Sequence, residues 1–134
     1  MTLAPLLAAP AAVQIHAITA IAAFFLGLWL FLGRKGTPSH RLLGKIWVGL
    51  MLATAISTFW MRSIFDFAIY GYGPIHILSV VAIVSSLTGI AAAQAGRIAA
   101  HRKSMIGLFV SALVGAGVFT LVPGRIMGAV VFGW

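Results

Sequence analysis

Apolar positions in this chain fall in long blocks, each separated from the next by a short cluster of charge, glycine or proline. The first block, Ala11 to Gly33, has no charged residue and follows Pro10, which suits the first turn of a helix. A bilayer crossing needs about 20 mostly apolar residues, so this block predicts a transmembrane helix. Arg34-Lys35-Gly36-Thr37 interrupts it, and Pro38 opens a second block that runs through Leu42 to Met61, with Lys45 placed to snorkel toward the headgroups. Arg62 to Gly73, with Asp66, several aromatics and the turn-forming Gly-Tyr-Gly-Pro, predicts an interfacial segment. Ile75 to Ala95 and Ser104 to Val122 complete the pattern, the last ending at Pro123-Gly124. The expected helices cover residues 11–33, 39–61, 75–95 and 101–122. They form one all-α domain over residues 1–134, a polytopic membrane protein with a four-helix transmembrane up-and-down bundle. The short apolar C-terminal tail, Ile126 to Trp134, cannot span; it is expected in the interface or against the bundle, with Trp134 as an anchor.

Composition sharpens this. Of 134 residues 62% are hydrophobic and 7% charged, too few charges to clothe a water-soluble surface. Nine Lys and Arg stand against a single acid, Asp66. They lie between apolar runs, which fits orientation signals and anionic-lipid contacts and sets nucleic acid aside as a partner. Arg34, Lys35, Arg41, Lys45, Arg97, Arg102 and Lys103 mark one side of the membrane, and Arg62 and Arg125 the other. The positive-inside tendency puts the first set in the cytoplasm and both termini outside it. The absence of cysteine removes disulfides, thiolate metal sites and the covalent attachment of c-type haem. Met1 to Pro10 has no basic residue before its apolar stretch, a poor secretory signal, and is expected to be mature chain. Small residues recur every fourth position, as Gly49, Ala53, Ser57, then Ser85, Gly89, Ala93, then Gly107, Ser111, Gly115, and predict close helix packing.

Each predicted helix owns one histidine: His16, His40, His76 and His101, all near helix N-termini. Because successive helices alternate in direction, His16 and His76 are expected at the outer face and His40 and His101 at the cytoplasmic face. Helices one and three, and two and four, stand diagonally in an up-and-down bundle. Each pair then suits axial ligation of a haem iron, non-covalent and hence b-type, giving two haems or one. Ala20, Ala23 and Gly27 continue the His16 face with small side chains, leaving clearance for a cofactor. Arg41 and Arg102 inside, and Arg62 and Arg125 outside, are candidate partners for haem propionates. Met105 shares a face with His101 and is an alternative ligand or a core residue. The spacing from His16 to His40-Arg41 is echoed from His76 to His101-Arg102, as in a duplicated hairpin.

Gly36-Thr37-Pro38-Ser39-His40-Arg41-Leu42-Leu43-Gly44, Ile75-His76-Ile77-Leu78-Ser79, Ala100-His101-Arg102-Lys103-Ser104-Met105-Ile106-Gly107 and Leu121-Val122-Pro123-Gly124-Arg125 resemble the bacterial membrane proteins of domain-of-unknown-function family 2306. That resemblance implies four helices in a bacterial inner (plasma) membrane and no established activity. The cross-bundle histidine pairs are also similar to those of cytochrome b561-like proteins, which implies electron transfer between haems on opposite faces. The leading expectation is therefore a membrane electron-transfer protein, a possible haem-dependent oxidoreductase, with a quinone or a redox protein as partner. The alternative is an accessory subunit of a larger membrane complex, or a homodimer, with no cofactor. A transporter is disfavoured, since no carboxylate lies within a predicted span.

Overall fold

The computed structural model describes residues 1–61 and 74–134. The expected interfacial segment, with Arg62 and Asp66, lies outside the described residues. Four helices are long and apolar enough to cross a membrane: Ala11–Leu32, Pro38–Trp60, His76–Gln94 and Ile98–Phe119. These are the first to fourth spans below.

Local chemistry sets their ends. Pro10 precedes the first span, and at its far end the Lys35 ammonium donates to the carbonyls of Leu30, Phe31 and Gly33 at 2.6, 2.8 and 2.8 Å. A cation there satisfies the unpaired last carbonyls and complements the negative end of the helix dipole. Thr37 caps the second span, its Oγ1 accepting the His40 backbone N–H at 3.0 Å, with Pro38 in the first turn. The third span closes through Gly96 at φ 77°, and the Arg97 N–H returns 2.8 Å to the Ala92 carbonyl. That left-handed turn is why glycine stands there. The fourth span starts three residues earlier than expected, at Ile98, and widens into a π-helical stretch over Phe109–Gly115.

Neighbouring spans pack in sequence, first on second, second on third, third on fourth, and the fourth returns to the first through its π-helical stretch. The expected up-and-down bundle is present, with first and third, and second and fourth, on the diagonals. Its core is Ala23, Trp47, Val48, Met51, Ala82 and Phe109 with their neighbours. Most other apolar side chains, Phe25, Trp29, Leu42, Ile77, Val84 and Val110 among them, face outward. In a chain with four such helices, that uncovered belt is the lipid-facing surface.

Both termini meet at one end of the bundle. The short helix Ala4–Leu7 and the C-terminal helix Ile126–Phe132 join a small cluster of Leu6, Ala17 and Val130, and the Thr2 N–H donates to the Val130 carbonyl at 3.0 Å. The apolar tail therefore packs on the bundle. Trp134 stacks on Phe132 and donates its indole N–H to the Leu121 carbonyl at 3.1 Å. The opposite end carries Arg34, Lys35, Arg41, Lys45, Arg97, Arg102 and Lys103 and is called the basic end below.

The small-residue stripes have different fates. Gly89 is a contact point: a Cβ there would collide with the Met105 methyl and lie 3.0 Å from Ser104 Cβ, so the third and fourth spans touch at this level. Gly49, Gly107, Ser111 and Gly115 face outward instead. The clearance expected along Ala23 and Gly27 is taken by protein. A Cβ on Gly27 would stand 2.8 Å from the Phe109 ring and 2.9 Å from the Trp47 indole nitrogen, so aromatic side chains fill that space.

Candidate functional site: two levels of histidine

At the basic end the second and fourth spans bring His40 and His101 together, with ring centres 6.5 Å apart and planes at 87°. The His101 Nδ1 lies 2.9 Å from the Gly89 carbonyl. A carbonyl only accepts, so Nδ1 carries the proton and the neutral ring keeps its lone pair on Nε2. A backbone carbonyl behind an imidazole is the usual way a metal-ligating histidine is oriented and made more basic. His40 Nδ1 is buried and has no hydrogen-bond partner. The ring as a whole is only half-buried, at the basic end of the bundle, and this nitrogen is the part of it that the protein covers without pairing.

At the end holding the termini, both histidines are turned onto the last carbonyls of the second span. His16 Nδ1 donates to the Thr54 carbonyl at 2.9 Å and approaches Ser57 Oγ at 3.1 Å. His76 Nε2 donates to the carbonyls of Thr58 at 2.8 Å and Met61 at 3.0 Å. A helix leaves its last carbonyls unpaired, and little water is available here to take them. Hydroxyls complete the network: Thr54 meets Thr19 at 2.8 Å, Thr58 meets Ser79 at 2.7 Å, and Ser57 donates to the Thr54 carbonyl at 2.7 Å. Three spans are thus bound through the end of the second.

The two levels differ in kind. His16 and His76 each spend a ring nitrogen on the second span, and among the described residues they make no ring contact with each other. The basic-end pair faces itself. Of the expected propionate partners, Arg41 and Arg102 are exposed at the basic end, and Arg102 lies along an outward groove of the fourth span. The Arg125 guanidinium lies over the Phe119 ring, 4.4 Å from its centre, and Arg62 is outside the described residues. Met105 packs against Gly89.

Sequence reasoning missed the hydroxyls. Thr54, Ser57 and Thr58 fall on the closing turns of an apolar helix, and Ser79 one turn after His76. Polar residues grouped at one depth of two spans were the available signal. It also missed Ser86, fully buried in the third span with its Oγ unpartnered.

A family model described as predicted membrane protein, DUF2306, matches residues 13–132, which take in all four histidines, the second to fourth spans whole and all but the first two residues of the first. The chain belongs to this family. No curated protein and no solved structure matches this DUF2306 member. Membership establishes a membrane protein and the lipid bilayer as its surroundings, in agreement with the four spans.

The termini-end network carries a stability prediction for this DUF2306 protein. Replacing His76, 5% exposed, by Ala removes a donor from the Met61 carbonyl and one of two donors from the Thr58 carbonyl, which keeps the Met61 N–H at 3.0 Å, and should cost about 1 kcal/mol, with His16→Ala below that figure because the Thr54 carbonyl keeps the Ser57 hydroxyl. Unfolding by dodecyl sulfate in mixed micelles measures this. Unchanged midpoints for both variants would show that these rings are not the glue described here.

Proposed function

We propose that this protein is a membrane electron carrier that holds a b-type haem at its basic end between His40 and His101. The observation that carries the reading is the ring separation of 6.5 Å together with the orphaned His40 Nδ1. His40 and His101 would hold the haem iron, one ring from each of the second and fourth spans. Among the described residues no group of three or more His, Cys, Asp or Glu side chains converges. A haem iron takes one or two axial ligands from the protein, and two histidines can supply both. The proximity of the two rings and the unpaired nitrogen on one of them support this reading.

When bound, haem would supply a reversible one-electron couple. The chain's own part is positional. Gly89 holds His101 in the tautomer that presents Nε2, and His40 presents a nitrogen with no competing partner. Trp47 lies two turns beyond His40 on the same face and packs with Phe109 in the bundle core. Arg41, next to His40 and exposed, is the nearest candidate in sequence for a propionate partner. The seven basic residues at this end support a cytoplasmic location for it, with both termini outside the cytoplasm of a bacterial inner membrane. A second haem between His16 and His76 would require those two rings, which make no ring contact with each other among the described residues, to be brought to the spacing of the basic-end pair. A quinone or a redox protein would be the electron partner.

The test is a reduced-minus-oxidised visible spectrum of protein purified in detergent from haem-replete cells. The expected result is one bis-histidine b-type component that His40→Ala and His101→Ala each abolish, while His16→Ala and His76→Ala keep it. A folded, colourless protein that takes up no added haemin sinks the proposal and leaves an accessory membrane subunit as the reading.

A further inference from the structure

The fourth span carries an outward groove that takes no part in the histidine sites. It is lined by Ile98, Ala99, Arg102, Lys103, Ile106 and Gly107, all on one face of the helix's first turns. Arg102 and Lys103 form its polar part, and Ile98 and Ile106 its exposed apolar part. Below it the same side of the span continues through Ser111 and Gly115, both exposed. A Cβ on Gly107 would meet nothing within 4 Å, so the helix surface there is open to the outside.

We propose that this groove is a binding site for one anionic phospholipid, its phosphate held by Arg102 and Lys103 and one acyl chain lying along Ile106, Gly107 and Ser111. Charge decides the class of occupant. Two adjacent cations stand at the end of a membrane span, where headgroups lie, and the chain's single carboxylate, Asp66, is far along the sequence, before the third span. A phosphate diester carries the complementary charge on a body whose apolar part must continue down the span, as the exposed helix face through Ile106, Gly107 and Ser111 does. A second copy of this chain is the competing occupant, since small residues at four-residue spacing suit helix pairing. Pairing of parallel fourth spans along this face would set Arg102 and Lys103 of two copies at one level, and like charges there repel. The lipid has the complementary charge and the copy does not. This inference does not depend on haem.

The test uses the full chain in a non-ionic detergent, with native mass spectrometry counting bound lipid as phosphatidylglycerol or phosphatidylcholine of the same acyl chains is added. Wild type should retain one phosphatidylglycerol at a concentration at least fivefold below that needed for phosphatidylcholine. Arg102→Gln with Lys103→Gln should erase that preference, whereas Arg34→Gln with Lys45→Gln, an equal change in charge at the same end, should keep it. Gly107→Leu, which fills the groove and leaves the charges, should weaken binding of both lipids severalfold. Circular dichroism of each variant guards against misfolding. Equal loss in the two charge-reduced variants would mean attraction to net charge with no site and would overturn the proposal. So would a wild-type dimer that Gly107→Leu converts to monomer with lipid binding unchanged.

Discussion

Trp47→Ala should unfold at a clearly lower dodecyl sulfate fraction than any other single core variant, with a loss of about 2–3 kcal/mol. Trp47 is 3% exposed and fills the space that Ala23 and Gly27 leave open on the first span. Its indole N–H donates to the Ala23 carbonyl at 2.9 Å, joining the first and second spans at mid-bundle. In a water-soluble protein such a truncation costs about 3–5 kcal/mol, part of it transfer from water. In a bilayer the unfolded helices remain in hydrocarbon, so the loss comes from packing and the hydrogen bond, and the lower figure follows. Trp47→Phe separates the two contributions: it keeps most of the packing and should cost about 1 kcal/mol. A Trp47→Ala midpoint equal to wild type would mean that Phe109 and its neighbours collapse into the vacancy.

Gly89→Leu should be nearly as damaging and should also reach the histidine pair. The third and fourth spans are closest at Gly89, where a first added carbon already meets Ser104 Cβ at 3.0 Å and the Met105 methyl. The methyl ends a flexible side chain and yields cheaply, so Gly89→Ala is expected to cost under about 1 kcal/mol, and Met105→Ala should relieve it. Leucine cannot be absorbed in this way. It forces the helices apart at a cost of about 1–3 kcal/mol and carries the Gly89 carbonyl away from His101. Where haem is bound, the visible spectrum of Gly89→Leu should change, and that of Gly89→Ala should not. A Gly89→Leu protein with wild-type stability would show that the two spans slide without consequence at this level.

These expectations rest on features unequally legible in the sequence. Span number and extent follow from local quantities, the length of apolar runs and the Pro and Gly that bound them, so predicted and observed ends agree within a few residues. The fourth span is the exception. Ile98-Ala99-Ala100 precedes four polar residues, His101 to Ser104, and looks like a loop from composition, yet the Gly96 turn lets the helix begin there. The π-helical stretch was invisible because its wider turn rotates the face of Phe109 and Leu113 toward the core, a packing preference with no sequence signature of its own.

The histidines divide along the same line. That each span owns one, and that they sort by end, follows from spacing and alternation of direction. Which pair meets does not. His40 and His101 come together because the Gly89 contact draws the fourth span against the third and the Gly89 carbonyl fixes one ring. His16 and His76 turn aside because the second span ends in carbonyls that need donors.

The sequence by itself determined a four-span membrane protein with a basic end and a histidine on every helix, since the bilayer imposes length and polarity one segment at a time. The tertiary structure decided which small residues touch, which are filled by aromatics, and which histidines face each other. Those outcomes depend on how one helix's protrusions meet another's gaps, and that is a property of pairs of segments.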